Sequence, residues 1–300
     1  MEPSPKEKLY AFKPRHSFLV GIDSDGCVFD TMEIKQKECF IPNIIEHWKL
    51  QAVSEYASAA AEFVSLYSKW RGANRFPALT KTLELLRDWP EAMRSGAAIP
   101  DLTSLQAWID SGAALGNPAL EAEVSRTGDP VLKQALEWSK AVDRSIADQV
   151  KGVPPFPSFR LCVERLAPRA DIICVSVASG EALEREWQEH DIAKYAAVLA
   201  GQEMGSKIEH LKIASGGKYA KDCVLMIGDS PGDLVAARAN GTLFFPINPG
   251  HEEQSWERFH HEGIERFFNQ TYAGGYEGSL IEEFEKLLPA EPPWKRAAGR

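Results

Sequence analysis

Apolar residues along this chain fall into two kinds of pattern. Short continuous runs occur at Phe18–Ile22, Ile172–Val177, Ala196–Ala200, Cys223–Gly228 and Thr242–Pro246. Runs of this length, rich in Val, Ile and Leu and flanked by Gly, Pro or Asp, predict strands buried on both faces. Between the later runs the spacing changes to that of helices, predicted over 158–166, 180–190, 206–214, 234–239 and 279–288. In the last of these, Leu280, Ile281, Phe284, Leu287 and Leu288 share one face, as in a helix docked on a core. Strand and helix in alternation predict a parallel sheet with right-handed crossovers.

From Glu33 to about Val150 the pattern is purely helical. Ile44, Ile45 and Trp48 recur at helical spacing, as do Tyr56, Ala60, Phe63, Val64 and Tyr67. Thr80–Trp89 is closed by Pro90, Asp101 and Asp129 stand as N-cap candidates, and Pro130 takes the first helical position of the long stretch 131–150. This predicts five or six helices with a small core of their own, returned to the sheet by the stiff linker Val153–Pro157. The fold class is therefore α/β, a Rossmann-like parallel sheet core with an inserted all-α domain. The expected bounds are 1–30 and 155–300 for the core and 31–154 for the insert. Residues 1–16 read as a polar lead-in and 289–300 as a loose tail.

Composition changes this picture little. The 44% hydrophobic and 26% charged residues suit a globular protein, and a net charge of −9 without any basic stretch argues against a nucleic-acid partner. No apolar run approaches membrane-spanning length. The five cysteines are scattered without metal-like spacing, so a reduced, cytoplasmic compartment is expected. The seven histidines form no metal-like or triad-like pattern.

The chemistry lies where two of the runs end. Phe18–Ile22 leads into Asp23-Ser-Asp25-Gly26, and Cys223–Gly228 into Asp229-Ser-Pro-Gly-Asp233. The first stretch alone is equally a strand-to-turn junction. A calcium loop fails there, because a strand-like run precedes it and the glutamate at loop position twelve is missing. Asp233 alone is explained as a helix N-cap, but Asp229 is not. Carboxylates gathered at one sheet edge repel by about 4 kcal/mol per pair at ~4 Å and an effective dielectric of ~20. They call for a hard counter-ion, and Mg²⁺ suits an all-oxygen set. The same cation would remove the repulsion between a carboxylate nucleophile and a phosphate dianion.

Asp23-x-Asp25-Gly together with Gly228-Asp229-x-x-x-Asp233 resembles the haloacid dehalogenase-like hydrolase superfamily, in the branch whose helical cap follows the first motif. That branch includes phosphatases and β-phosphoglucomutase-like enzymes. The resemblance covers roughly 15–30 and 155–290, and the insert of about 120 residues is longer than the branch's usual caps.

The resemblance implies that Asp23 is the nucleophile that becomes an aspartyl phosphate, and that Asp25 is the general acid and base. Ser176 would hydrogen-bond the transferring phosphoryl group, and Lys207 would neutralise its charge and hold Asp23 or Asp233. Mg²⁺ would be bound by Asp23, the backbone carbonyl of Asp25, Asp229 and Asp233. Val177 stands where the family commonly has Asn after its Ser or Thr, and Ser179 competes with Ser176. Lys207 lacks the family's Pro-rich neighbourhood, leaving Lys212, Lys218 and Lys221 as alternatives.

In the insert, Lys69-Trp-Arg71-Gly-Ala-Asn74-Arg75 marks a helix end, where cations answer the helix dipole. That is the simpler reading; the sharper one makes Arg71 and Arg75 candidates to receive the non-reacting part of a substrate. Cys27 and Asp30 could contact it too. The expected function is Mg²⁺-dependent hydrolysis of a small phosphorylated metabolite. A phosphomutase would share every core residue, and a non-catalytic Mg²⁺ or phosphate-binding module is the alternative of another class. Asp25 and the Asp229/Asp233 pair argue against a dehalogenase, and no insert lysine marks a phosphonate hydrolase.

Overall fold

The computed structural model describes residues 5–297. Five parallel strands form one sheet: β1 (Phe18–Ile22), β2 (Ala170–Val175), β3 (Val198–Ala200), β4 (Val224–Gly228) and β5 (Leu243–Pro246), in the order β3-β2-β1-β4-β5. Each predicted run forms its strand, with ends shifted by up to two residues. The register pairs Val20 with Ile172 on one side and with Leu225 on the other. β1, β2 and β4 are buried almost throughout, which is why they read as unbroken apolar runs. Their side chains join Phe159, Trp187, Phe245 and Trp256 in one core.

The chain divides into two compact units. One comprises residues up to Met32 and Gly152–Leu287; the other comprises Glu33–Lys151 and the chain from Leu288 onward. The second is all helical and is built around Trp48, Phe76, Leu83, Trp108 and Trp138. Its insert holds helices at 41–47, 54–66, 75–87, 90–94, 103–110, 117–127 and 130–149 among the described residues. Asp129 caps the longest through Val131 and Leu132 N–H, as expected. Asp101 instead closes a turn one residue earlier than a cap would, accepting from Thr103 N and Oγ1.

Both chain ends differ from expectation. Pro5–Ala11 is a helix, because Leu9 and Phe12 anchor it while its polar residues face outward. The expected loose tail is instead bound to the helical unit. Trp294 stacks on Trp89 at 4.0 Å between ring centres and meets Phe63 edge-on, and Lys295 pairs with Asp88 at 2.8 Å. Two large aromatic contacts outweigh the tail's polar composition. Residues 1–4 and 298–300 lie outside the described residues.

Candidate functional site

The sheet's strand order departs in opposite directions from β1 and β4, so their carboxyl ends flank the switch-point crevice where open α/β sheets bind ligands. Asp23 and Asp229 each stand one residue beyond their strand. The ladder persists as far as Asp23, whose N–H donates to Ile227 O at 3.0 Å. The carboxylates of Asp23, Asp229 and Asp233 are all buried, and one oxygen from each lies within 4.8 Å of the others.

Asp233 is the third residue of the helix Pro231–Asn240, and the N-cap is Ser230 rather than Asp233 itself. Asp233 Oδ2 accepts from Ser230 N (3.1 Å) and Ser230 Oγ (2.6 Å) in a reciprocal cap. Its other oxygen accepts from Lys207 Nζ at 2.7 Å. The carboxylate lies across Gly228, where a Cβ would fall 2.3 Å from Asp233 Cγ. Only glycine permits that approach. Lys207, the first residue of the helix Lys207–Ser215, also donates to Asp23 Oδ2 at 2.7 Å. One ammonium thus spans two of the three carboxylates, and its side chain is only 12% exposed.

Burial is the largest influence on Asp23 and pushes its carboxyl well above the usual range; Asp233 and Asp229 push the same way, and Lys207 opposes them. Burial works against the charge on Lys207, but Asp23, Asp233 and Asp229 together outweigh it and raise its proton affinity. Burial thus dominates the shift of Asp23, whereas at Lys207 the neighbouring carboxylates overcome burial. The donor set fits a hard divalent cation. One oxygen from each of three buried carboxylates, all within 4.8 Å of one another, gives the all-oxygen set such a cation takes.

Asp25 is half-buried in the loop that follows Asp23, and the Thr31 hydroxyl donates to its Oδ1. Gly26 turns the chain there with φ 75°. Val28 N donates to Ser24 O at 2.9 Å, Trp187 Nε1 to Ser24 Oγ at 3.1 Å and Trp256 Nε1 to Cys27 O at 2.7 Å. The first bond closes the loop on itself, and the two indoles tie it to the surrounding core. The Cys27 thiol is fully buried, and burial, followed by the charges of Asp229 and Asp23, raises its pKa, so it is no nucleophile at neutral pH.

Ser176 follows β2 at the same sheet edge, 1% exposed, its N–H on Ala200 O and its Oγ accepting from Ala178 N at 3.2 Å. Ser179 is the N-cap of the helix Gly180–Glu189, accepting from Ala182 N. Among the alternative lysines, Lys218 donates to the carbonyls of Phe12 and Ile213. Lys207 is the one that reaches the acidic cluster.

Arg71 and Arg75 belong to the helical unit. Arg71 is 5% exposed and donates to Leu66 O at 3.0 Å. Arg75 donates to Ser139 O, Ser139 Oγ and Asp143 Oδ1, and lies over the Phe40 ring. Arg71 thus closes the carboxyl end of helix 54–66, and Arg75 ties helix 75–87 to helix 130–149. The residues that sequence reasoning passed over are Thr31, Ser230 and Glu209. Two of them carried a readable signal, since Ser230-x-x-Asp233 and Ser206-x-x-Glu209 both have capping-box spacing.

No family model and no curated protein matches the sequence. Similar solved structures include a haloacid dehalogenase-like protein of unknown function from Agrobacterium tumefaciens (15% identity, 80% of this chain and 88% of that one, TM-score 0.44). Another is a haloacid dehalogenase-like hydrolase from Streptococcus pneumoniae (12%, 84% and 97%, 0.43). A third is CbbY from Rhodobacter sphaeroides, solved with phosphate (12%, 77% and 86%, 0.42). The reading that follows rests on this chain's own side chains.

Proposed function

We propose that the protein is a Mg²⁺-dependent phosphomonoesterase working through an aspartyl-phosphate intermediate. The observation that carries this is the convergence of Asp23, Asp229 and Asp233 within 4.8 Å, with Lys207 bridging Asp23 and Asp233. Mg²⁺, held by Asp23, Asp229 and Asp233, would supply charge neutralisation for the incoming phosphate dianion. Asp23 attacks phosphorus; the Asp23 O–P bond forms as the ester P–O bond breaks. Asp25, kept in place by Thr31 and the Gly26 turn, delivers a proton to the leaving alkoxide. A water then attacks the same phosphorus, Asp25 takes its proton, and phosphate departs with Asp23 regenerated. Lys207 keeps the Asp23 carboxylate aligned and balances charge on the transferring group. Ser176, at the neighbouring strand end, donates to a phosphoryl oxygen.

The reading is tested by release of phosphate from p-nitrophenyl phosphate with and without Mg²⁺. Metal-dependent turnover, absent in Asp23→Asn, supports it. No turnover of this ester or of a panel of phosphorylated metabolites overturns it, and an isomerised sugar phosphate in place of free phosphate would mark a mutase.

A further inference from the structure

Lys207 pairs with two carboxylates of the acidic cluster, and it sits at the first position of its helix. Where that helix begins therefore decides where the ammonium falls. The start is fixed by a reciprocal cap in which Ser206 Oγ accepts from Glu209 N (3.3 Å), while Glu209 Oε2 accepts from Ser206 N (2.9 Å) and Ser206 Oγ (3.1 Å). Gly205 precedes it at φ 124°, and a Cβ there would stand 2.7 Å from Glu209 Oε2. The chain has left open the space that the glutamate fills. Glu209 Oε1 accepts from Lys6 Nζ at 3.0 Å, so the helix Pro5–Ala11 bears on the same carboxylate. The Ser206 backbone bond and Lys6 hold the Glu209 carboxyl down to about 2, which keeps it ionised at neutral pH.

We infer that Glu209, seated against Gly205 and bonded by Lys6, is a positioning residue that sets the register of Lys207 on Asp23 and Asp233. It touches no reacting atom, and its effect on turnover rests on the phosphomonoesterase reading above. Its effect on Lys207 does not.

The test measures acylation of Lys207 by an amine-reactive ester, mapped by mass spectrometry on the metal-free full chain, alongside kcat and KM for p-nitrophenyl phosphate. Glu209→Ala is expected to raise the Lys207 labelling rate at least about fivefold and lower kcat about tenfold, with KM moved less than twofold. Glu209→Gln, whose amide oxygen still accepts from Ser206 N, should restore both to within about twofold of wild type. Gly205→Ala, which presses a methyl group against the carboxylate, should behave as Glu209→Ala does and serves if that variant folds poorly. Asp129→Ala removes a helix cap in the helical unit; at a similar loss of stability it should leave Lys207 labelling unchanged. Unchanged labelling and kcat in Glu209→Ala, or equal labelling changes in Asp129→Ala, would overturn the inference. A wild-type protein without phosphatase activity whose Lys207 labelling still responds to Glu209 overturns the functional reading and supports this one.

Discussion

The two units handle charge in opposite ways. In the helical unit most ion pairs are local and exposed, as in Lys81–Glu84, Arg94–Glu91 and Arg126–Glu123. Such exposed pairs are screened by solvent and contribute little to stability. In the α/β unit, Lys207 and Asp23 meet across 184 residues of sequence, inside a cluster of three buried carboxylates. Helices make their local pairs almost without cost, whereas a buried charge surplus is expensive to assemble and to keep. A chain that brings three loops together to build one is spending stability on chemistry. The difference locates the function more firmly than either unit would alone.

The sharpest way to break the comparison is to neutralise the nucleophile. Asp23→Asn should lower phosphate release at least about 10⁴-fold. It should also leave the metal-free protein as stable as wild type or more so, because one of three crowded carboxylates is gone. Activity assays paired with thermal unfolding check this. A large fall in both would make Asp23 an architectural residue.

Gly228→Ala comes next. The methyl group cannot be accommodated 2.3 Å from Asp233 Cγ without displacing a carboxylate held by both Ser230 and Lys207. We expect a loss of about 3 kcal/mol, at the upper end of overpacking costs, and weaker Mg²⁺ binding by titration calorimetry. Tolerance of the methyl group would show the loop to be more pliant than the packing implies.

Metal and pH sharpen the same contrast. A carboxyl whose folded pKa is raised binds its proton more tightly than the unfolded chain does, so Asp23 should cost stability as pH rises above about 4. That loss levels off above the folded pKa. Lys207, raised in its turn, contributes throughout this window and is lost only at strongly alkaline pH. Relative to Asp23→Asn, in which the other titrating groups such as the buried His210 are unchanged, metal-free wild type should therefore lose melting temperature between pH 5 and pH 8. Mg²⁺ at a hundred times its Kd should add about 2.7 kcal/mol, with the gain shrinking as pH falls. Thermal unfolding of wild type and Asp23→Asn at pH 5–8, with EDTA or with Mg²⁺, tests this; a difference between the two in EDTA that does not change with pH would contradict it.

The α/β unit was far more legible in the sequence than the rest, for a physical reason. Buried parallel strands must be continuously apolar, and the acids that end them stand out against such runs. Asp23 and Asp229 were therefore visible, whereas Lys207, which opens a helix, was reached only through the family resemblance. The helix over 252–268 was not, because it passes through a π-helical stretch, Phe259–Gly263, with two adjacent histidines that blur the apolar period. The C-terminal segment was misjudged because Trp294 finds its partners, Trp89 and Phe63, some two hundred residues away. Thr31, whose hydroxyl steadies Asp25, carries no pattern at all, since a threonine opening a helix is commonplace.

The smallest expected effect probes the helical unit from its own side. Arg75 bonds Ser139 and Asp143 and covers Phe40, joining helix 75–87 to helix 130–149. Its side chain is 25% exposed, so screening discounts the ion pair, and the bonds to Ser139 and the ring contact carry most of its weight. Arg75→Ala should cost about 1–2 kcal/mol in chemical unfolding and change KM for a small phosphate ester less than twofold. The decisive control is Asp143→Ala, which removes the same ion pair from the other end. If Arg75→Ala raises KM tenfold while Asp143→Ala does not, the guanidinium serves the substrate rather than the helix pair, and the helical unit too spends charge on chemistry.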